Sequence, residues 1–207
     1  ALKVVGKKIS EIKIVISGAG AAGIAITKLF LKYGCKNIIL QDSKGLIYDG
    51  REGLNPYKQA IAKVTNKEKI KGGIADGLKG ADVFIGVSQP NIVTKEMVKS
   101  MAGDAIIFAM SNPNPEIDPK EAKKGGAKIY ASGRSDYPNQ INNVLAFPGI
   151  FKGVLKARAR RITDKMKMAA AEALARMVKK PSVAKIIPGV FEKGVSEGVA
   201  RAVARSR

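Results

Sequence analysis

The chain has 207 residues, 45 % of them hydrophobic, and 37 Lys and Arg against 17 Asp and Glu give it a net charge of +20. That length and apolar content allow one large domain with a sizeable core, or one with an appendage. Every apolar run is broken by Lys, Gly or Ser before it reaches membrane-spanning length, and the first residues lack the apolar stretch and cleavage site of a signal peptide.

Taken in order, residues 1–8 read as the end of a helix whose beginning is missing, closing at Gly6. Residues 12–17 read as a strand, 21–33 as a helix and 37–40 as a second strand. A helix is expected at 56–64, a helical turn at 77–79 and a strand at 83–87. A helix follows at 94–101 with Thr94 as its N-cap. Residues 105–109 then read as strand, 119–124 as helix and 128–131 as strand. Short apolar strands alternating with helices imply right-handed βαβ units, hence an α/β fold of the Rossmann type with a doubly wound parallel sheet. Beyond residue 140 the pattern becomes helical, with helices expected at 149–161, 164–178 and 190–205, the last two separated by Pro181 and Pro188. The domain reading is therefore a nucleotide-binding core over about residues 9–150 with C-terminal helices over about 150–207.

Between the first strand and helix lie Gly18, Ala19, Gly20, Ala21, Ala22 and Gly23, with the glycines in G-x-G-x-x-G spacing. Gly18 permits the tight turn, Gly20 lets backbone approach a pyrophosphate, and Gly23 lets the helix pack close to the sheet. The pyrophosphate would rest on the helix N-terminus, where N–H groups and the helix dipole favour an anion. Glycines alone also mark ordinary turns. Here Asp42 ends the next apolar run about 20 residues on, where a carboxylate accepts hydrogen bonds from an adenosine ribose. Asp42 favours NAD, whereas Ser43 and Lys44 would suit the 2′-phosphate of NADP, with Lys44 as a mobile point charge.

Histidine is absent, so the commonest general base and metal ligand are both missing. One cysteine, Cys35, cannot form an internal disulfide and fits a reducing, cytoplasmic setting. The charge is open to three readings: nucleic-acid attraction, neutralisation of an anionic cofactor or substrate, or an acidic counterpart elsewhere in a larger chain. Dispersed basic residues, 5 % aromatics and no Trp argue against nucleic acid, and only 156–167 forms a basic cluster.

Ligands in open α/β sheets bind beyond the carboxyl ends of the strands. Three such ends are chemically distinctive. One carries Ser88 before Gln89 and Pro90. Another carries Ser111 and Asn112 in a loop stiffened by Pro113 and Pro115. The third is the polar run 133–143, ending in Asn142 and Asn143, whose amides can hold a carboxylate, hydroxyl or carboxamide without adding charge.

These segments together resemble the nicotinamide-binding part of malic enzyme. The matching stretches are 17–25 (SGAGAAGIA), 41–52 (QDSKGLIYDGRE), 54–58 (LNPYK), 80–88 (GADVFIGVS), 108–117 (FAMSNPNPEI) and 133–153 (GRSDYPNQINNVLAFPGIFKG), spanning essentially residues 1–190. The resemblance implies oxidative decarboxylation of malate to pyruvate and CO₂ with reduction of NAD or NADP. It implies that the 18–23 turn holds the pyrophosphate and Asp42 the ribose. Asn112, Asn142 and Asn143 would lie near the nicotinamide and the malate carboxylate. It also implies a homodimer or larger assembly in the complete protein. In that family the catalytic Tyr and Lys and the acidic ligands of Mg²⁺ or Mn²⁺ lie upstream of the matching region, so no catalytic or metal-binding residue is expected in this chain. The Lys156–Arg161 cluster departs from the family, which is neutral or acidic there. Two alternatives stay open: another Rossmann dehydrogenase, of the shikimate or methylene-tetrahydrofolate dehydrogenase kind, and a basic polyanion-binding module.

Overall fold

The computed structural model describes all of residues 1–207. The chain separates into two compact units, Ala1–Gly133 and Arg134–Arg207. In the first, α1 (Leu2–Val5), β1 (Lys13–Ser17), α2 (Ala21–Lys32), β2 (Asn37–Asp42), β3 (Gly45–Leu46), α3 (Pro56–Ala62) and α4 (Ile74–Leu78) precede β4 (Val83–Gly86). Then come α5 (Lys95–Lys99), β5 (Ile106–Ala109), α6 (Pro119–Lys124) and β6 (Ile129–Ser132).

The strands form one sheet in the order β3-β2-β1-β4-β5-β6. The chain moves outward from β1 to β2, then returns across β1 to β4, so the order reverses between β1 and β4. That reversal opens the crevice in which doubly wound sheets bind ligands. Ile14, Ile16, Ile38, Leu40 and Ile107 are among the fully buried side chains of the strands. A sheet covered by helices on both faces buries its strands on both sides, which is why they read as continuous Ile/Val/Leu runs. Phe84, Val15, Ile39 and Ile107 centre the core on one face with Leu78, Val98 and Ala122.

The parallel sheet and its Rossmann-type architecture agree with the sequence reading. One strand is new: β3 pairs antiparallel with β2, Gln41 opposite Leu46 and Asp42 opposite Gly45. Two residues carry no detectable period, and the hairpin turns through Ser43 and Lys44 into Gly45, which takes φ +112°. The turn expected at 77–79 begins earlier, at Ile74, because Gly73 caps it with Asp76 bonding back to the Gly73 N–H.

The second unit is helical: α7 (Phe147–Lys156), α8 (Asp164–Met177) and α9 (Val195–Arg205), with a 3₁₀ turn at Asn143–Leu145. Gly149 and Gly153 let α7 close on α9, since a Cβ at either would collide with Val199 or Val203. Met166, Ala170, Val199 and Val203 form a small core there. The helix expected at 149–161 stops at Lys156, because Arg158 takes a left-handed φ of +48°. The helix expected from 190 starts at Val195, after Gly194 at φ +85°. No helix is long and apolar enough to cross a membrane.

Candidate functional site

At the carboxyl edge of β1, β2 and β4 a cleft of about 400 Å³ is lined by Ser17, Gly18, Ala19, Gly20, Gln41, Asp42, Ser43, Asn55, Lys58, Ser88, Gln89 and Ile92. The residues that sequence reasoning chose from three separated segments thus meet around one space: the glycine turn, Asp42 with Ser43, and Ser88.

Each glycine of the turn has a distinct surrounding. Gly18 takes φ +111°, and a Cβ there would come within 2.6 Å of the Val87 carbonyl oxygen. A Cβ on Gly23 would run into the Gly18 carbonyl oxygen, so α2 can start this close to the turn only with glycine at that position. Gly20 is different: a Cβ would meet nothing within 4 Å, and its φ of −88° suits any residue. The absence of a side chain at Gly20 leaves room in the cleft and serves nothing in the fold. Gly20 is also the N-cap of the twelve-residue α2 and offers no capping side chain. The first-turn N–H groups, which have no intrahelical acceptors, therefore stand at the cleft as an anion cradle.

Asp42 is built into an ion cluster. Its Oδ1 accepts from the Lys44 N–H at 3.0 Å and from Arg51 Nη1 at 3.0 Å. Its Oδ2 accepts from Arg51 Nη2 and Lys58 Nζ, both at 2.6 Å. The side chain is 8 % exposed. Burial pushes its carboxyl up, but hydrogen bonds from Arg51, Lys58 and the Lys44 N–H outweigh this and hold it well below the usual carboxylate range. Four contacts match the roughly four lone-pair sites of a carboxylate. With all four occupied, a further donor could reach Asp42 only by displacing one of them, and the Lys58 ammonium, on a flexible stem, is the partner able to move. Arg51 is further anchored to the carbonyls of Gly45 and Leu46. Sequence reasoning named Asp42, Ser43 and Lys44 but not Arg51 or Lys58. These lie nine and sixteen positions beyond Asp42, and only the β2–β3 hairpin and α3 return them to it.

Gln41, beside Asp42, has a buried side-chain oxygen with no hydrogen-bond partner in the protein. Gln41 lines the cleft, so this oxygen is an acceptor available to a hydroxyl donor there. At the other end, the Ser17 and Ser88 hydroxyls lie 2.9 Å apart and tie the tips of β1 and β4.

Asn112 follows Ser111 in the loop after β5, and its bond to Pro113 is cis. Asn142 and Asn143 belong to the second unit. The Asn142 oxygen caps the 3₁₀ turn by accepting from the Val144 N–H at 3.0 Å. In the same polar run, Asn139 is buried and bonds the Val183 carbonyl and the Ile186 N–H, so its amide serves the packing of the 178–194 segment. No group of three or more Cys, Asp or Glu side chains could hold a metal ion.

A doubly wound sheet with a glycine cradle, a helix N-terminus and an acidic residue at the end of β2 defines a dinucleotide-binding protein. Comparison with known proteins narrows the class. The model of the malic enzyme NAD-binding domain matches residues 1–207, and the chain belongs to that family. It is 54 % identical over 209 residues to the bifunctional malic/malolactic enzyme of Bacillus subtilis, covering all of this chain and 51 % of that protein. It is 53 % identical to the NAD-dependent malic enzyme of Geobacillus stearothermophilus, covering 98 % of this chain and 43 % of that one. Among solved structures, the NAD-dependent malic enzyme of Thermotoga maritima superposes with a TM-score of 0.95 at 46 % identity, over 100 % of this chain and 55 % of that one. The chain thus spans about half the length of the relatives it matches.

Proposed function

We propose that these residues form the part of a malic enzyme that seats NAD or NADP while malate is oxidised and decarboxylated to pyruvate and CO₂. The observation that carries the reading is Gly20: open space where a side chain would project, at an uncapped helix N-terminus. Nothing in the fold requires glycine there, and a pyrophosphate does.

In this reading the Gly18–Gly23 turn holds the pyrophosphate: Ala19, Gly20, Ala21, Ala22 and Gly23 present backbone N–H groups to it, while the Gly18 N–H donates to the Gln41 carbonyl and fixes the turn against β2. Gln41 and Asp42 receive the adenosine ribose. Lys58 leaves Asp42 as the ribose hydroxyl arrives, and with Ser43 and Lys44 it meets a 2′-phosphate when the cofactor is NADP. Ser88 and Asn112, on the loops after β4 and β5, would hold the nicotinamide half of the cofactor. When bound, the cofactor accepts the hydride from malate C2. Asn142 and Asn143 are assigned, on the family resemblance, to the substrate carboxylate. A single nucleotide-binding domain, with its core over about residues 9–150 and C-terminal helices over about 150–207, the cytoplasmic setting and assembly as a homodimer or larger belong to the same proposal.

The groups that move protons and the divalent metal that would polarise the keto acid are assigned to the rest of a malic enzyme. The 207-residue chain is therefore expected to bind dinucleotide without turning over malate. The purified chain, given malate, Mn²⁺ and NAD⁺ or NADP⁺, should produce no reduced cofactor, while titration with either reduced cofactor should give saturable binding. Malate oxidation at a rate typical of enzymes, on the order of 1–10³ per second, would contradict the assignment.

A further inference from the structure

Glu116 is not needed by the cofactor contacts described so far, yet it is fully buried, at 0 % exposure. Its Oε1 accepts from the Ser88 N–H at 3.1 Å and its Oε2 from the Ser111 N–H at 3.0 Å. Ser88 follows β4 and Ser111 follows β5, so one carboxylate joins the loops at the ends of two adjacent strands. The Ser111 hydroxyl adds a long contact, 3.5 Å, to the Ser88 carbonyl. The main chain on either side of the carboxylate is held too: the Glu116 carbonyl accepts from the Val93 N–H and the Pro115 carbonyl from the Asn91 N–H. Beneath the carboxylate lies Gly86, the last residue of β4, where a Cβ would overlap the Glu116 carboxyl carbon.

Burying a carboxylate without a cation is costly unless hydrogen bonds replace the lost water. Apolar residues could fill the same space more cheaply, so stability alone is a poor reason for a charge here. What the carboxylate does, and an apolar side chain could not, is fix two N–H groups from different loops at one distance. A carboxylate offers acceptors only, matching two facing donors; a carboxamide would turn an NH₂ toward one of them. An aspartate is one methylene too short to span both loops from the same backbone position.

From these contacts we infer that Glu116 is a positioning residue, a strut that sets the loops bearing Ser88 and Asn112 to receive the nicotinamide half of the dinucleotide. The inference rests on the dinucleotide reading above. It divides the cleft: the adenosine and pyrophosphate half depends on Asp42 and the glycine turn, and the nicotinamide half on Glu116.

The test compares two ligands on the 207-residue chain. One is NADH or NADPH, whichever the unaltered chain binds more tightly, and the other is ADP-ribose carrying the same 2′ substituent. Glu116→Gln keeps the size of the side chain and supplies a donor where an acceptor is needed. Affinity for the reduced dinucleotide should fall at least tenfold while affinity for the ADP-ribose fragment stays within about twofold. Equal weakening of both ligands, or unchanged dinucleotide affinity, would overturn the assignment. If the variant does not fold, amide NMR of the unaltered chain gives the same decision. The Ser88 and Ser111 N–H signals should both move on adding the dinucleotide, and the Ser111 signal should stay put with the fragment; a Ser111 signal blind to both ligands contradicts the strut. An unaltered chain that binds neither ligand overturns the dinucleotide reading itself, an outcome distinct from failure of the Glu116 assignment.

Discussion

Asp42 and Glu116 are acidic residues at the same carboxyl edge of one sheet, and their charges are met in opposite ways. Asp42 at the end of β2 is surrounded by side chains, Arg51 and Lys58, with one backbone N–H from Lys44. Glu116 beyond β5 has two backbone N–H groups and no cation. Side-chain partners can rotate, so the Asp42 cluster can exchange a contact for a ligand's hydroxyl or phosphate. Backbone partners move only when their loops move, so the Glu116 contacts hold a shape. One half of the cleft adapts through charge, and the other is preorganised through main chain.

The comparison can be broken most severely at Gly86. Gly86→Ala drives a methyl into the Glu116 carboxyl group. Overpacking of this kind costs about 1–3 kcal/mol, which for about 200 residues lowers the melting midpoint by about 2–4 °C per kcal/mol. Dinucleotide affinity should fall with it. Calorimetric melting together with cofactor titration checks both; an unchanged midpoint would show that the carboxylate has room to give.

Arg51→Ala comes next. Breaking a buried pair by removing one partner costs about 3–5 kcal/mol when the remaining charge is left alone. Here Lys58 stays 2.6 Å from Asp42, so about 1–2 kcal/mol is expected, read from urea unfolding. The same cluster makes stability depend on acid. The folded-state carboxyl of Asp42 is held below its unfolded value of about 3.9. Its contribution is therefore complete above that pH and is lost as pH falls from about 4. Asp42→Asn should abolish that part of the acid loss, leaving a flatter stability profile below pH about 4 than the unaltered chain has.

The smallest effects concern cofactor choice. Lys58→Ala frees an Asp42 lone pair for the ribose and removes a cation from the 2′ position. It should weaken NADPH several-fold more than NADH in parallel titrations. Lys44→Ala, on an exposed stem, should lower NADPH affinity by a factor of a few. If neither substitution changes the ratio of the two affinities, the basic side of the Asp42 cluster does not read the 2′ position.

The difference between the two regions also explains what could be read from the residues alone. Strands such as Lys13–Ser17 and Val83–Gly86 are legible because a buried parallel sheet demands short Ile/Val-rich runs. The glycine turn is legible because Gly18 and Gly23 answer local steric needs, while the absence of a side chain at Gly20 leaves the cleft open. The ion cluster around Asp42 is not, since its partners return through a hairpin whose second strand is two residues long. Glu116 is marked in the sequence only as a charged residue between Pro115 and apolar Ile117, just past a buried strand, and no local spacing points to its partners after β4 and β5. In the second unit, Ala157 to Arg161 looks as helical as the residues before it. The left-handed Arg158 backbone, closed by bonds from the Arg158 N–H to the Leu155 carbonyl and from the Ala159 N–H to the Val154 carbonyl, ends the helix at Lys156.

Gly20 offers the most direct measurement of the central claim, because the fold leaves its side-chain direction open within 4 Å. NADH and NADPH should be titrated into the unaltered chain and into Gly20→Val, with the melting midpoint of each recorded. The account predicts that Gly20→Val melts within about 2 °C of the unaltered chain, an ordinary surface change, and loses binding by at least a hundredfold. Gly20→Val binding either cofactor as tightly as the unaltered chain would contradict a pyrophosphate seated on the glycine turn.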